Sequence, residues 1–121
     1  PVELRLPPTI LDEIKETGAK AVQTPDLEGV LGDLDVLYVT RIQQERFPDP
    51  LEYERARNAY RIDRGTLRPG KKGLSVLHPL PRVREIATEV DSMEGALYFR
   101  QAHNGVTVRK ALLALLLGVM R

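Results

Sequence analysis

The sequence contains no cysteine and only two histidines, His78 and His103. Without cysteine there is no disulfide scaffold, Cys-ligated zinc, iron–sulfur cluster or thiol nucleophile, and no hint of secretion. Two histidines argue against a His-rich metal site. Aromatic residues make up 5% of the chain, and no basic stripe is interleaved with them, which speaks against a nucleic-acid surface. Long apolar runs are also missing: Ala111 to Leu117 is the longest, far short of the roughly 20 residues a membrane span needs. No charged-then-apolar leader opens the chain. The expectation is a cytoplasmic domain with no metal, cofactor, membrane or nucleic-acid partner.

What is present is enough for one globular domain: 121 residues, 42% hydrophobic and 29% charged. The net charge of +1 hides an asymmetry. Residues 1–60 hold seven Lys/Arg and twelve Asp/Glu, and residues 61–121 hold eleven and five. The basic residues are scattered, an arrangement that suits a small anionic ligand better than a polymer.

Periodicity gives the element order. Val2, Leu4 and Leu6 alternate with charged residues as in a strand, ended by Pro7-Pro8. Thr9 can cap a helix whose Ile10, Leu11 and Ile14 share one face, with Gly18 as its stop. A short strand is expected over Lys20 to Gln23, then a helix opened by Thr24-Pro25 and running through Leu31. Asp35 to Thr40 is the strongest strand, apolar on both faces as in a parallel sheet covered by helices. Asp49-Pro50-Leu51-Glu52 opens a helix to about Tyr60, and Arg61-Ile62 reads as a weak strand. Leu74 to His78 is a further strand, and a largely buried closing helix is expected from Asn104-Gly105 to Met120. Strands alternating with helices predict an α/β fold: a three-layer parallel sheet with helices on both faces and right-handed crossovers.

Ligands of such sheets bind beyond the carboxyl ends of the strands. Two strand ends carry unusual residues. After the strongest strand, Arg41 and Gln43 stand two apart, so that a guanidinium and an amide can face the same side, and Glu45 can orient Arg41. A solvated polar loop is the plain alternative. At the second strand end, His78-Pro79-Leu80-Pro81-Arg82 can be neither helix nor central strand. That leaves the Pro79 and Leu80 carbonyls free to hold an ammonium or amide group, and the turn can accommodate a cis Leu80–Pro81 bond. A rigid structural turn is the alternative there. No GxGxxG, P-loop or GxSxG segment is present; His103, beside Asn104 at a helix start, reads more readily as a packing or capping residue than as a base, and His78 is similarly ambiguous.

Three segments, residues 35–46, 76–86 and 98–105, in that order, closely resemble the C-terminal half of the aspartate carbamoyltransferase family. The similarity runs from about Val2 to Leu117. It implies transfer of the carbamoyl group of carbamoyl phosphate to the amine of L-aspartate, a step of pyrimidine biosynthesis. By that resemblance Arg41 and Gln43 bind aspartate carboxylate and Glu45 steers Arg41. The Pro79 carbonyl contacts the carbamoyl amide, the Leu80 carbonyl holds the aspartate amine, and Pro81 is cis. Arg46 helps latch the domains closed on a mobile segment from Gln43 to Tyr53, and Arg82 lends support. The ornithine-using sister family has a cysteine in place of the first proline of the His-Pro-Leu-Pro segment, so aspartate is the expected substrate.

The chain also departs from the family. The Ser-Thr-Arg-Thr and His-Pro-x-Gln segments of the carbamoyl-phosphate domain are absent, so residues 1–121 are expected to be a partial aspartate-binding domain, inactive alone. The first strand–helix unit of that domain would lie before Val2, leaving a gap at a central strand. A companion chain or an oligomer is therefore expected, with carbamoyl phosphate bound only beside a complementary domain. The alternative function is a non-catalytic remnant serving as an assembly or interaction module.

Overall fold

The computed structural model describes residues 5–57 and 60–119. The chain folds as an α/β unit in the order α1 (Pro8–Glu16), α2 (Glu28–Leu31), β1 (Val36–Tyr38), α3 (Pro50–Ala56), α4 (Arg64–Leu67), β2 (Ser75–Leu77) and α5 (Tyr98–Leu116). Single 3-10 turns lie at Gln44–Arg46 and Thr88–Ser92.

The two strands pair in parallel, with Leu37 opposite Val76. Bonds from Ser75 N–H to Asp35 O (2.9 Å) and from Val39 N–H to Leu77 O (2.8 Å) close the pair at its two ends. On its other side β2 is bridged to Ala96, and Ile62 is bridged to Ile86. The bridge beside β2 needs a glycine: a Cβ on Gly95 would sit 2.2 Å from the Leu74 carbonyl oxygen. Around these contacts Leu31, Val39, Ile62, Val76, Ile86 and Val90 form the core, with Tyr98 fully buried at the start of α5.

Several boundaries differ from the sequence expectation for identifiable reasons. α1 begins at Pro8 rather than after a Thr9 cap, because proline at the first helical position gives up no hydrogen bond. Gly18, at φ 78°, ends it as expected. Thr24 does not cap α2. Its hydroxyl accepts from Asp26 N–H (3.0 Å), and Asp26 in turn accepts from Gly29 N–H (2.9 Å), moving the helix start to Glu28. Asp49 caps α3 through Leu51 N–H (2.8 Å) as expected, but the helix stops at Ala56. The expected strand at Lys20–Gln23 is irregular and exposed. Among the described residues, a bond from Leu6 N–H to the Gln23 side chain (2.9 Å) links it to the N-terminal segment. Val2 and Leu4 of the first expected strand, and Met120 at the far end, lie outside the described residues.

The largest difference concerns burial. α5 starts at Tyr98, six residues before the Asn104-Gly105 pair, and its apolar residues are not buried: Val108, Leu113 and Leu116 are 57%, 59% and 83% exposed. α1 buries nothing, and Val36 and Tyr38 leave one face of β1 half exposed. Periodicity identifies an apolar face, but not whether the described residues supply its cover.

Candidate functional site

The ends of β1 and β2 lie side by side, so the loops that follow them share one edge of the sheet. There Thr40, Arg41, Ile42 and Gln43 face Tyr60, His78, Pro79, Leu80 and Pro81 across an open cleft of about 620 Å³. Two segments 35 or more residues apart in sequence thus supply a guanidinium, an amide and a pair of carbonyl-bearing residues to one space. The volume lies within the range usual for small-molecule sites.

The wall after β1 is lightly fastened. Arg41 Nη2 donates to Glu45 Oε1 at 3.0 Å, in a pair 39% and 67% exposed. Glu45's own backbone N–H, and then Arg41, hold its carboxyl below the usual carboxylate range. Gln43 is exposed. The backbone of Arg46 lies in the 3-10 turn, and its side chain is outside the described part. Tyr60 donates its hydroxyl to the Thr40 carbonyl and anchors the base of this wall. Burial, and then the Glu85 charge, push the Tyr60 hydroxyl pKa up.

The wall after β2 is held by a buried polar network. His78 is 1% exposed. Its backbone N–H donates to Gln101 Oε1 (3.0 Å) on α5, and its Nδ1 accepts from Leu80 N–H (2.8 Å). That bond assigns the ring proton to Nε2, which donates to Glu85 Oε1 at 2.8 Å. Glu85 also accepts from the N–H groups of Val83 (3.2 Å) and Arg84 (3.0 Å). Burial pushes the Glu85 carboxyl up, but backbone N–H donors and His78 together outweigh it and hold the group below its ordinary value.

The Leu80–Pro81 peptide is cis, and Leu80 sits at φ 48°, a left-handed conformation uncommon for a residue with a side chain. Pro79 and Leu80 line the cleft, and neither carbonyl accepts a hydrogen bond among the described residues.

Arg82 points elsewhere. It makes a two-pronged pair with Asp91, through Nη2 to Oδ2 at 2.6 Å and Nη1 to Oδ1, and Nη1 also reaches the Tyr98 hydroxyl (3.1 Å). Its guanidinium lies 5.5 Å from the Tyr98 ring centre. Arg82 holds the Asp91 carboxyl below its ordinary range, while burial and then Asp91 push the Tyr98 hydroxyl to a pKa of about 12. Arg82 thus fastens the end of the turn to the start of α5 and is not part of the cleft.

Sequence reading singled out Arg41, Gln43, Pro79, Leu80 and Pro81, and the fold brings all five together. It did not single out Glu85, Gln101, Asp91 or Tyr60. Their spacings of 7 to 23 residues from the groups they hold follow no helix or strand period. The one available signal was the presence of Glu85 and Gln101 inside the segments that carry the family resemblance.

Comparison with known proteins adds an independent line. Residues 1–116 match the family model described as aspartate/ornithine carbamoyltransferase, Asp/Orn binding domain. The aspartate carbamoyltransferase catalytic subunit of Halorubrum lacusprofundi is 57% identical over 117 residues, 97% of this chain and 37% of that protein. That of Thermococcus kodakarensis is 54% identical over 120 residues, 99% and 39% of the two. The catalytic subunit of M. jannaschii aspartate transcarbamoylase superposes with a TM-score of 0.84 at 44% identity, covering 99% of this chain and 40% of that one. Aspartate transcarbamoylase of Trypanosoma cruzi in complex with aspartate and phosphate superposes at 0.75 and 36% identity, covering 93% and 35% of the two. The chain spans about two fifths of the length of the curated relatives it matches.

Proposed function

The chain belongs to the aspartate/ornithine carbamoyltransferase family, in its Asp/Orn-binding domain, and from that premise we propose that it is the aspartate-binding part of an aspartate carbamoyltransferase. The observation that carries this reading is the single cleft on which Arg41, Gln43, Pro79, Leu80 and Pro81 converge. A second part, bearing the phosphate-binding groups, presents carbamoyl phosphate to that cleft. The exposed faces of β1 and α5 support such a partner. The working form is then a cytoplasmic, oligomeric enzyme of pyrimidine biosynthesis, called here the assembled enzyme.

In this reading Arg41 pairs with an aspartate carboxylate, Gln43 donates to it, and Glu45 keeps the guanidinium turned toward the cleft. The Leu80 carbonyl accepts from the aspartate amine, and the Pro79 carbonyl accepts from the amide of the carbamoyl group. The neutral amine attacks the carbamoyl carbon, the carbon–oxygen bond to phosphate breaks, and the departing phosphate takes the proton released from nitrogen. Such a reaction gains mainly from placement of the two reactants and from fixed dipoles around them. Pro81 fixes the direction of the two carbonyls, Arg82 secures the turn through Asp91, and Arg46 latches the closed form.

Reconstitution tests this. The 121-residue chain alone should form no carbamoyl aspartate, and mixing or joining it with a carbamoyl-phosphate-binding half should restore transfer. Activity of the chain alone would show a phosphate site of its own. Failure of a folded, assembled pair to turn over would favour a non-catalytic role.

A further inference from the structure

Three arginines converge on a second hollow behind the cleft, two from one connection and one from beyond the proline-bracketed turn. Arg57 follows α3, Arg61 precedes the bridged residue Ile62, and Arg84 follows the His78-Pro79-Leu80-Pro81 turn. With Tyr60 and Thr88 they line a space of about 520 Å³ to which the described residues contribute no carboxylate. Arg57 and Arg84 also meet Arg41 around a smaller adjoining hollow of about 180 Å³. The one acid there, Glu85, is already bound by His78 and two backbone N–H groups.

The arginines have binding capacity left over. Nε of Arg57 is buried with no hydrogen-bond partner among the described residues, although Nη2 pairs with Glu54 at 2.8 Å. A buried donor left unmatched is costly enough that folded proteins rarely keep one. The side chains of Arg61 and Arg84 have no ion-pair or hydrogen-bond partner among the described residues, whereas Arg41 and Arg82 each hold a carboxylate. Asp63 lies close enough to Arg61 to feel its charge, but its carboxylate is occupied by Thr66. Arg61 and Arg84 bring two charges without a carboxylate partner beside the Glu54-paired Arg57, and an anion seated among them offsets that charge.

We propose that this hollow is a binding site for a small phosphate-bearing anion, separate from the aspartate cleft. Guanidinium groups suit it because their planar N–H pairs match phosphate oxygens two at a time, and Arg57 and Arg61 line it from one connection while Arg84 lines it from another. Resting on the substrate reading above, the site also has a consequence: an anion held by Arg57 and Arg84 relieves the repulsion they exert on Arg41, and so acts on aspartate binding.

The test is an amide NMR titration of the chain with inorganic phosphate at constant ionic strength, set against Arg61→Gln/Arg84→Gln. Both residues are exposed, so the double variant keeps the core. The expected result is saturable shifts at Arg57, Arg61, Arg84 and Thr88, with affinity at least about tenfold weaker in the variant. Absence of saturable shifts there, shifts confined to Arg41 and Gln43, or equal affinity in the variant would overturn the site. L-aspartate is titrated in parallel into the assembled enzyme. If phosphate shifts persist while aspartate leaves Arg41 and Gln43 unmoved, the substrate reading fails and the anion site stands. Should the chain alone give no dispersed spectrum, the phosphate titration is made on the assembled enzyme with its carbamoyl-phosphate position filled by a methylene isostere, and the same outcomes decide.

Discussion

The cleft wall formed by residues 78–86 is tied through His78, Glu85, Gln101 and the Arg82–Asp91 pair, whereas the wall formed by residues 40–46 relies on one exposed ion pair and the Tyr60 hydroxyl. The first offers backbone carbonyls, which cannot adjust by changing rotamer and must be placed by the fold. The second offers long side chains that can reorient at little cost. Under the proposed function, a site with one wall built in advance and one that adapts would admit aspartate and then close on it, keeping the reacting nitrogen in place while the carboxylates are gripped.

That contrast predicts unequal responses to mutation. The largest effect belongs to Glu85→Ala, which strips partners from the His78 ring and from two backbone N–H groups. Stability should fall by about 3 kcal/mol, read by denaturant unfolding of the assembled enzyme. A loss within experimental error would mean the wall is not fastened as described. Next is Arg41→Ala, expected to lower kcat/KM for aspartate about a hundredfold, or about 2.7 kcal/mol, while the melting temperature and the affinity for carbamoyl phosphate stay unchanged. Equal losses for both substrates would remove the role given to Arg41.

Arg82→Met should cost about 2 kcal/mol of stability, because Asp91 loses the two guanidinium donors of a largely shielded pair and keeps only the Tyr98 hydroxyl. Acid should separate the two walls as well. Glu85's folded pKa lies below its ordinary 4.5, so its contribution to stability is complete above that value and disappears as pH falls through the folded pKa. Amide exchange at Leu80 and Arg84 should therefore accelerate in that window, before the core amides of Val76 follow. The smallest effect is Glu45→Gln, an exposed partner, which should raise the KM for aspartate about threefold and leave unfolding untouched.

How much of this the sequence discloses differs between the walls. Arg41 and Gln43 are legible because they follow a strong apolar run at a spacing of two, and Pro79 and Pro81 because two prolines around a leucine exclude regular structure. Each of these is a local rule. The fastening of His78 is not local: it needs β2, the turn and α5 packed together, and only packing reveals that Gln101 on the first turns of α5 meets the backbone of residue 78. Alternation of strands and helices conveys the α/β class but overstates strand length. A segment such as Lys20–Gln23 carries the residue pattern of a strand and finds no neighbour to pair with among the described residues. The same limit explains α5, whose composition predicts burial that the described residues do not supply.

The account rests on one wall being fixed and the other adaptable around the same ligand, and amide hydrogen exchange of the assembled enzyme, with and without aspartate and a carbamoyl-phosphate isostere, tests this most directly. Residues 78–86 should be protected already and change little on binding, while residues 41–47 should pass from fast exchange to protection. Ligand-induced protection of equal size in both walls, or confined to residues 78–86, would contradict it.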